Sequence, residues 1–296
     1  MNHALESALG MSVLVAAGTA VASALYVAGL WKETLRPTRR TTAWALARGL
    51  PAAPDECGWT ATEQRFPRAD GGTTPAWVIQ GHAPHSGRVA VVLHGHNRSR
   101  WDSLRRAGPW VETCALVVLP DLRGHGESEG RTTLGRAEVA DMELLLAEVA
   151  ALHPGARVVL VGHSMGAVVA IHAAARAAQR RSVPIEHVEA WGPYERVRTP
   201  FRAHVDLRNL PVGPFPAVVL ALLRLLDGPE TPTTASAAAV AAPLVVHADG
   251  TDQTSPVAEA AAIAAAAPQG TLHVTHGVPH ADLGVPQPPA TDRAQT

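Results

Sequence analysis

Short, largely apolar runs recur along the chain: Val89–Leu93, Leu116–Leu119, Val158–Val161, His187–Ala190, Leu244–His247 and Leu272–Thr275. Runs that are apolar at successive rather than alternate positions are the pattern of strands buried on both faces. Helical stretches separate them. Glu138–Leu152 places Val139, Met142, Leu145, Leu146 and Val149 on one face of a 3.6-residue period. Met165–Ala178 and Val257–Ala266 are rich in alanine, which favours helix. Ahead of these, Thr60–Phe66 and Pro75–Gln80 flank Asp70-Gly71-Gly72 and predict an antiparallel hairpin. Strands that alternate with helices predict an α/β fold, a mostly parallel sheet with helices on both faces.

The N-terminus has a different pattern. Ser7 to Trp31 is a run of 25 residues without a charge, long enough as a helix to cross about 30 Å of hydrocarbon. Tyr26 and Trp31 lie near its end, where amphipathic rings suit a membrane interface. Lys32, Arg36, Arg39 and Arg40 follow, and no Lys or Arg precedes. The positive-inside rule then predicts a single-pass anchor with everything beyond Arg40 in the cytoplasm. A cleaved signal peptide is the competing reading. Ala22-Ser23-Ala24 suits it, and the lack of a basic start does not.

Composition narrows the classes. A net charge of −1 provides no basic field for nucleic acid. The two cysteines, Cys57 and Cys114, lack CxxC spacing and read as free thiols rather than a disulfide framework. Aromatic residues make up only 4% of the chain, so the core must be built from Val, Leu and Ala. Without the N-terminal segment about 255 residues remain, the size of one α/β domain.

The sharpest chemical signal is Gly162-His163-Ser164-Met165-Gly166, set between a predicted strand and a predicted helix. Strand, G-x-S-x-G, helix is the context of a nucleophile elbow, a tight turn that lifts a serine hydroxyl above the sheet. The helix start aims free N–H groups and a positive dipole end at developing negative charge. A serine hydroxyl needs a base to take its proton and a carboxylate to orient that base. Two loops beyond strand ends supply candidates, where open α/β sheets place their sites. One holds Asp249-Gly250-Thr251-Asp252, with Pro256 four residues further on; the other runs from His276 to Asp282 and includes His280. Asp249 and Asp252 are rival acids on the first of these loops. His280 sits deeper in its loop than His276, which abuts the strand. His94, His125 and His163 belong to turn motifs and read as hydrogen-bonded spacers.

Together these motifs resemble the α/β-hydrolase superfamily, in the branch of monoacylglycerol-lipase-like and serine-aminopeptidase-like enzymes. His94-Gly95-His96 resembles its oxyanion loop, and Asp121-Leu122-Arg123-Gly124-His125-Gly126-Glu127-Ser128 its D-x-R-G-x-G-x-S loop. The resemblance implies a triad of Ser164, Asp252 and His280. It also implies an oxyanion hole made by the backbone N–H groups of His96 and Met165, and acyl transfer to water through an acyl-serine. No cofactor or metal is implied, and no zinc-binding, dinucleotide or Walker signature occurs. Three features depart from the family pattern: Pro279 and Asp249 stand where glycine is usual, and the last helix is hard to find after Leu283. The last departure predicts a less covered sheet face.

The resulting organisation is an anchor over 1–40, a connector over 41–58, an α/β-hydrolase domain over 59–283 and a disordered tail over 284–296. A small cap lies within 192–240, where Pro214–Leu226 is apolar yet too short to span a bilayer. The expected activity is hydrolysis of a small-molecule carboxylic ester, with a lipophilic acyl group favoured by the apolar cap and the anchor. Thioesterase, amidase or peptidase chemistry shares the triad, and a silent binding protein on the same fold is the non-enzyme alternative. Arg98, Arg100, Arg105 and Arg106 read as a solvated helix face. The sharper alternative is that one of them meets an anionic substrate group.

Overall fold

A computed structural model describes residues 2–208 and 214–286. The chain starts with a long helix, α1 (Asn2–Leu35), a short α2 (Thr42–Leu46) and a 3-10 turn (Pro54–Cys57). The hairpin β1 (Ala61–Pro67) and β2 (Thr73–Gln80) follows, then β3 (Arg88–Leu93), α3 (Arg100–Thr113) and β4 (Leu116–Pro120). Next come α4 (Arg136–Leu152), β5 (Arg157–His163), α5 (Met165–Arg180) and β6 (Ile185–Trp191). Three helices, α6 (Arg198–Leu207), α7 (Phe215–Asp227) and α8 (Thr233–Ala237), form the inserted cap. The chain then runs through β7 (Leu244–Asp249), α9 (Val257–Ala266) and β8 (Gly270–Thr275) to a 3-10 turn (His280–Asp282).

The eight strands form one sheet in the order β1-β2-β4-β3-β5-β6-β7-β8. β1 and β4 each pair antiparallel with β2, and every other pairing is parallel. Alternation along the central strands divides the core in two. Val89, Val91, Leu93, Val158 and Leu160 pack with α4 and α5 on one face. Ala90, Val92, Val159 and Val161 pack with Trp101, Leu104 and Val111 of α3 on the other. That two-sided burial is why these strands read as unbroken apolar runs, and Val, Leu and Ala do dominate the core.

The sequence reading gave α3 no element of its own. Two of its three arginines are not on a solvated face: Arg100 is 1% exposed and Arg106 is 4%, whereas Arg105 is exposed and Arg98, ahead of the helix, is half-buried. Arg100 stacks on Trp77 and Trp101 and pairs with Glu127 at 2.7 Å, so its stem and its charge are both satisfied inside. Among the described residues the far edge of the sheet is the less covered one. Thr271, His273 and Val274 of β8 are exposed. Trp191, His247 and His273 stack across β6, β7 and β8. Of the tail, residues 287–296 lie outside the described residues.

Candidate active site

The elbow follows from local sterics. β5 runs into α5 through Ser164, whose backbone sits at φ 55°, ψ −118°, a region that side-chain-bearing residues rarely occupy. A Cβ on Gly162 would lie 2.3 Å from the Gly166 carbonyl oxygen, and one on Gly166 2.5 Å from that of Leu93, so both flanks must be bare. The Ser164 amide donates to Trp191 O at 2.8 Å, which ties the turn to β6. Met165 opens α5, where the first amides have no partner within the helix.

The His94-Gly95-His96 loop lies against this turn: a Cβ on Gly95 would come 3.1 Å from Ser164 Cβ. His94 sets its orientation. Its Nε2 accepts from the Leu122 amide at 2.9 Å, so Nδ1 carries the proton and donates to the Gly95 carbonyl at 2.8 Å. Burial lowers the His94 pKa to about 4 and so preserves this neutral tautomer. In a trans peptide the C=O and N–H point in opposite directions. Fixing the Gly95 carbonyl therefore turns the His96 N–H away from His94.

β7 and β8 bring the other two candidates together. His280 Nδ1 lies 2.5 Å from Asp252 Oδ2, with that carboxylate side chain only 2% exposed. The second ring nitrogen, Nε2, is buried and has no partner among the described residues. Ser164 and His280 line the same cavity of about 280 Å³, together with Gly95, His96 and Arg98. A more open groove of about 550 Å³ between α4, α5 and α8 contains none of these residues.

Asp249, the rival acid, has no carboxylate oxygen left for a histidine. Its oxygens accept from Thr251 N and Oγ1, Thr275 Oγ1, Gly277 N and Val278 N. The Thr251 hydroxyl foremost, with the backbone amides of Thr251 and Val278, holds this carboxyl well below the usual carboxylate range. Where the resemblance expects glycine, this aspartate staples the loop after β7 to the loop that carries His280. His276 is exposed and stands beside Gly250.

Two further groups position the His280 loop: Arg106, which the sequence pattern put on a solvated face, and His163, which it gave as a hydrogen-bonded spacer without naming its partner. Arg106 donates to the carbonyls of Asp102, Ala281 and Leu283, and so clamps the chain just past His280. His163, the variable residue of the elbow, donates from Nε2 to the His280 carbonyl. Neither has a local sequence signature, because their partners lie more than 100 residues away. Among the described residues no group of three or more His, Cys, Asp or Glu side chains could hold a metal ion.

The profile of the alpha/beta hydrolase family matches residues 90–291. The chain belongs to that family. Among solved structures, this hydrolase is similar to an esterase from Pyrococcus furiosus, with TM-score 0.62 and 21% identity over 77% of this chain and 86% of that one. An alpha-beta hydrolase from Vibrio vulnificus gives TM-score 0.61 and 17% identity over 87% and 86%. A proline iminopeptidase from Mycobacterium smegmatis gives 0.54 and 16% over 75% and 92%. At these identities the likeness is one of fold. A search of curated protein sequences finds no match.

Proposed function

We propose that this hydrolase cleaves carboxylic esters through an acyl-serine, with Ser164 as nucleophile, His280 as base and Asp252 as the orienting carboxylate. One observation carries the reading: His280 is held through Nδ1 by a buried carboxylate, its Nε2 has no partner among the described residues, and its side chain lines the cavity that contains a strained elbow serine. Asp252 accepts a hydrogen bond from Nδ1–H, so Nε2 is left as the basic nitrogen. Nε2 takes the Ser164 proton as Oγ bonds to the ester carbonyl carbon, and the carbonyl electrons move onto oxygen. The amides of His96 and Met165 stabilise that oxyanion. As the oxyanion collapses, the C–O bond to the alcohol breaks and His280 returns its proton to the leaving alkoxide. Water then repeats the sequence on the acyl-serine and frees the acid.

The same reading makes α1 a membrane anchor and the ester lipophilic. Gly10–Leu35 has a mean hydropathy of 2.0, enough in length and composition to cross a bilayer. α7 packs against α1, with Tyr26 edge-on to Phe215 at 5.1 Å. It is apolar on both sides: Pro216, Val219 and Leu223 face inward, while Val218, Leu222, Leu225 and Leu226 are exposed. An exposed row of four apolar side chains, interrupted by Arg224 alone on that face, suits a hydrocarbon neighbour better than water. The basic residues after α1 support a catalytic domain on the cytoplasmic side.

Labelling with a fluorophosphonate probe tests the chemistry. The folded parent is expected to label and Ser164→Ala to remain unlabelled. A folded parent that neither labels nor turns over any ester overturns the proposal and favours a binding protein. For the anchor, the full chain is expected to stay with membranes at high pH and to leave them only in detergent; release without detergent overturns that part.

A further inference from the structure

The geometry points to the N-terminal helix as a working part of the active site: through Thr34 it holds the ring of His96, and so positions the amide that faces the oxyanion. This rests on the serine-hydrolase reading above and adds to it a positioning contact that lies within the anchor itself.

The last carbonyls of any helix have no partner inside it. α1 ends at Leu35, and the loops of the site satisfy two of its final carbonyls. Thr34 O accepts from His96 Nε2 at 2.8 Å, and Leu35 O from the Thr132 amide at 3.0 Å. The bond from His96 crosses 62 residues of sequence. Because the carbonyl only accepts, His96 must carry its proton on Nε2. Burial lowers the His96 pKa, which favours the neutral ring; the Thr34 bond persists in either charge state.

The helix end is itself well seated. Leu30 is 5% exposed and Leu35 is 2%. Glu33 pairs with Arg208 at the end of the cap helix α6, and Tyr26 meets Phe215 of α7. Residues of this helix and of the segment after it, among them Leu30, Thr34 and Arg40, line the cavity that holds Ser164 and His280. The 95–96 peptide is therefore fixed from two sides. His94 holds its carbonyl from within the fold, and α1 holds the His96 side chain from without. A freely hinged tether would provide neither a wall nor a hydrogen bond. Small displacements of an oxyanion donor are expensive in rate, because the donor must meet a position that the oxygen occupies only in the transition state.

The experiment uses the full chain in detergent micelles, with p-nitrophenyl acetate as probe, at a temperature where fluorescence shows every variant folded. His96→Phe keeps the ring and deletes the donor. His96→Gln returns an N–H at nearly the same reach. Leu35→Ala loosens the last turn of α1 without lining the cavity. His96→Phe is expected to lower kcat about 10- to 100-fold, on the scale of a misplaced catalytic group, with KM within twofold of the parent. Leu35→Ala is expected to move kcat in the same direction, and His96→Gln to recover at least a third of the parent value. The inference is overturned if His96→Phe or Leu35→Ala keeps kcat within threefold of the parent, or if His96→Gln is no better than His96→Phe. A parent silent toward both the ester and the fluorophosphonate instead overturns the hydrolase reading on which the inference stands.

Discussion

His163 Nε2 donates to the backbone carbonyl of His280 across 2.7 Å, and their rings lie 5.0 Å apart. The residue before Ser164 thus holds the main chain of His280, so the elbow and the histidine loop are set as one unit. Arg106 completes the clamp from α3, and burial lowers its own pKa to about 10, which leaves it fully charged at neutral pH. His163→Leu and Arg106→Gln each remove donors to buried carbonyls, at a cost of about 1–3 kcal/mol in stability. Both variants are expected to lower kcat about 10- to 100-fold through a displaced His280 ring. Steady-state kinetics alongside thermal unfolding would check this, and variants with full kcat would count against the clamp.

Ser164 stores strain. With φ at 55°, a side chain at this position costs on the order of 1–3 kcal/mol relative to an unstrained backbone. Ser164→Gly is expected to raise the melting temperature while abolishing turnover, whereas Ser164→Ala abolishes turnover without that gain. Calorimetry of the two variants would decide; equal melting temperatures would remove strain from the account.

Asp249 imposes an acid limit. Its folded-state pKa lies below the ordinary carboxylate value of about 3.9. Its stabilising contribution is therefore present above that pH and lost as pH falls toward the folded value. Asp249→Asn is expected to melt lower than the parent at pH 6, with the difference narrowing below about pH 4. A difference that stays constant with pH would point to shape rather than charge.

Buried histidines set a second and earlier limit. Burial lowers His94 to about 4 and pushes His125 and His163 well below the ordinary imidazole value. Below about pH 6.5 the unfolded chain binds protons that the folded chain refuses, so stability falls as pH drops, by up to about 1.4 kcal/mol per pH unit for each such group. The melting temperature is expected to decline from about pH 6.5 downward, before the carboxylates titrate. His94→Asn would shallow that slope. A flat profile from pH 7 to 5 would show that these rings titrate normally.

The apolar cap predicts acyl selectivity. With Phe201, Leu207 and Leu30 on the cavity wall, p-nitrophenyl esters of medium chain length are expected to give higher kcat/KM than the acetate, each buried methylene being worth about 0.8 kcal/mol at most. A steep preference for acetyl would exclude the lipophilic reading.

Much of this architecture was legible without coordinates because its causes are local. The strands announce themselves as apolar runs since both faces are covered, and the elbow glycines are dictated by clashes within a few residues. The pattern named Ser164, Asp252 and His280 but left Asp249 and His276 open. Only the convergence of β7 and β8 settles which carboxylate is free to meet a ring and which is consumed by a loop.

What the sequence by itself determined is the order of elements and the residues whose roles depend on their immediate neighbours. Tertiary structure alone decided that Thr34 meets His96, that Arg106 and His163 hold the His280 loop, and that Arg100 and Arg106, read as solvated, are buried. Those pairings depend on which atoms distant segments bring within about 3 Å of each other, and no periodicity along a single chain encodes that distance.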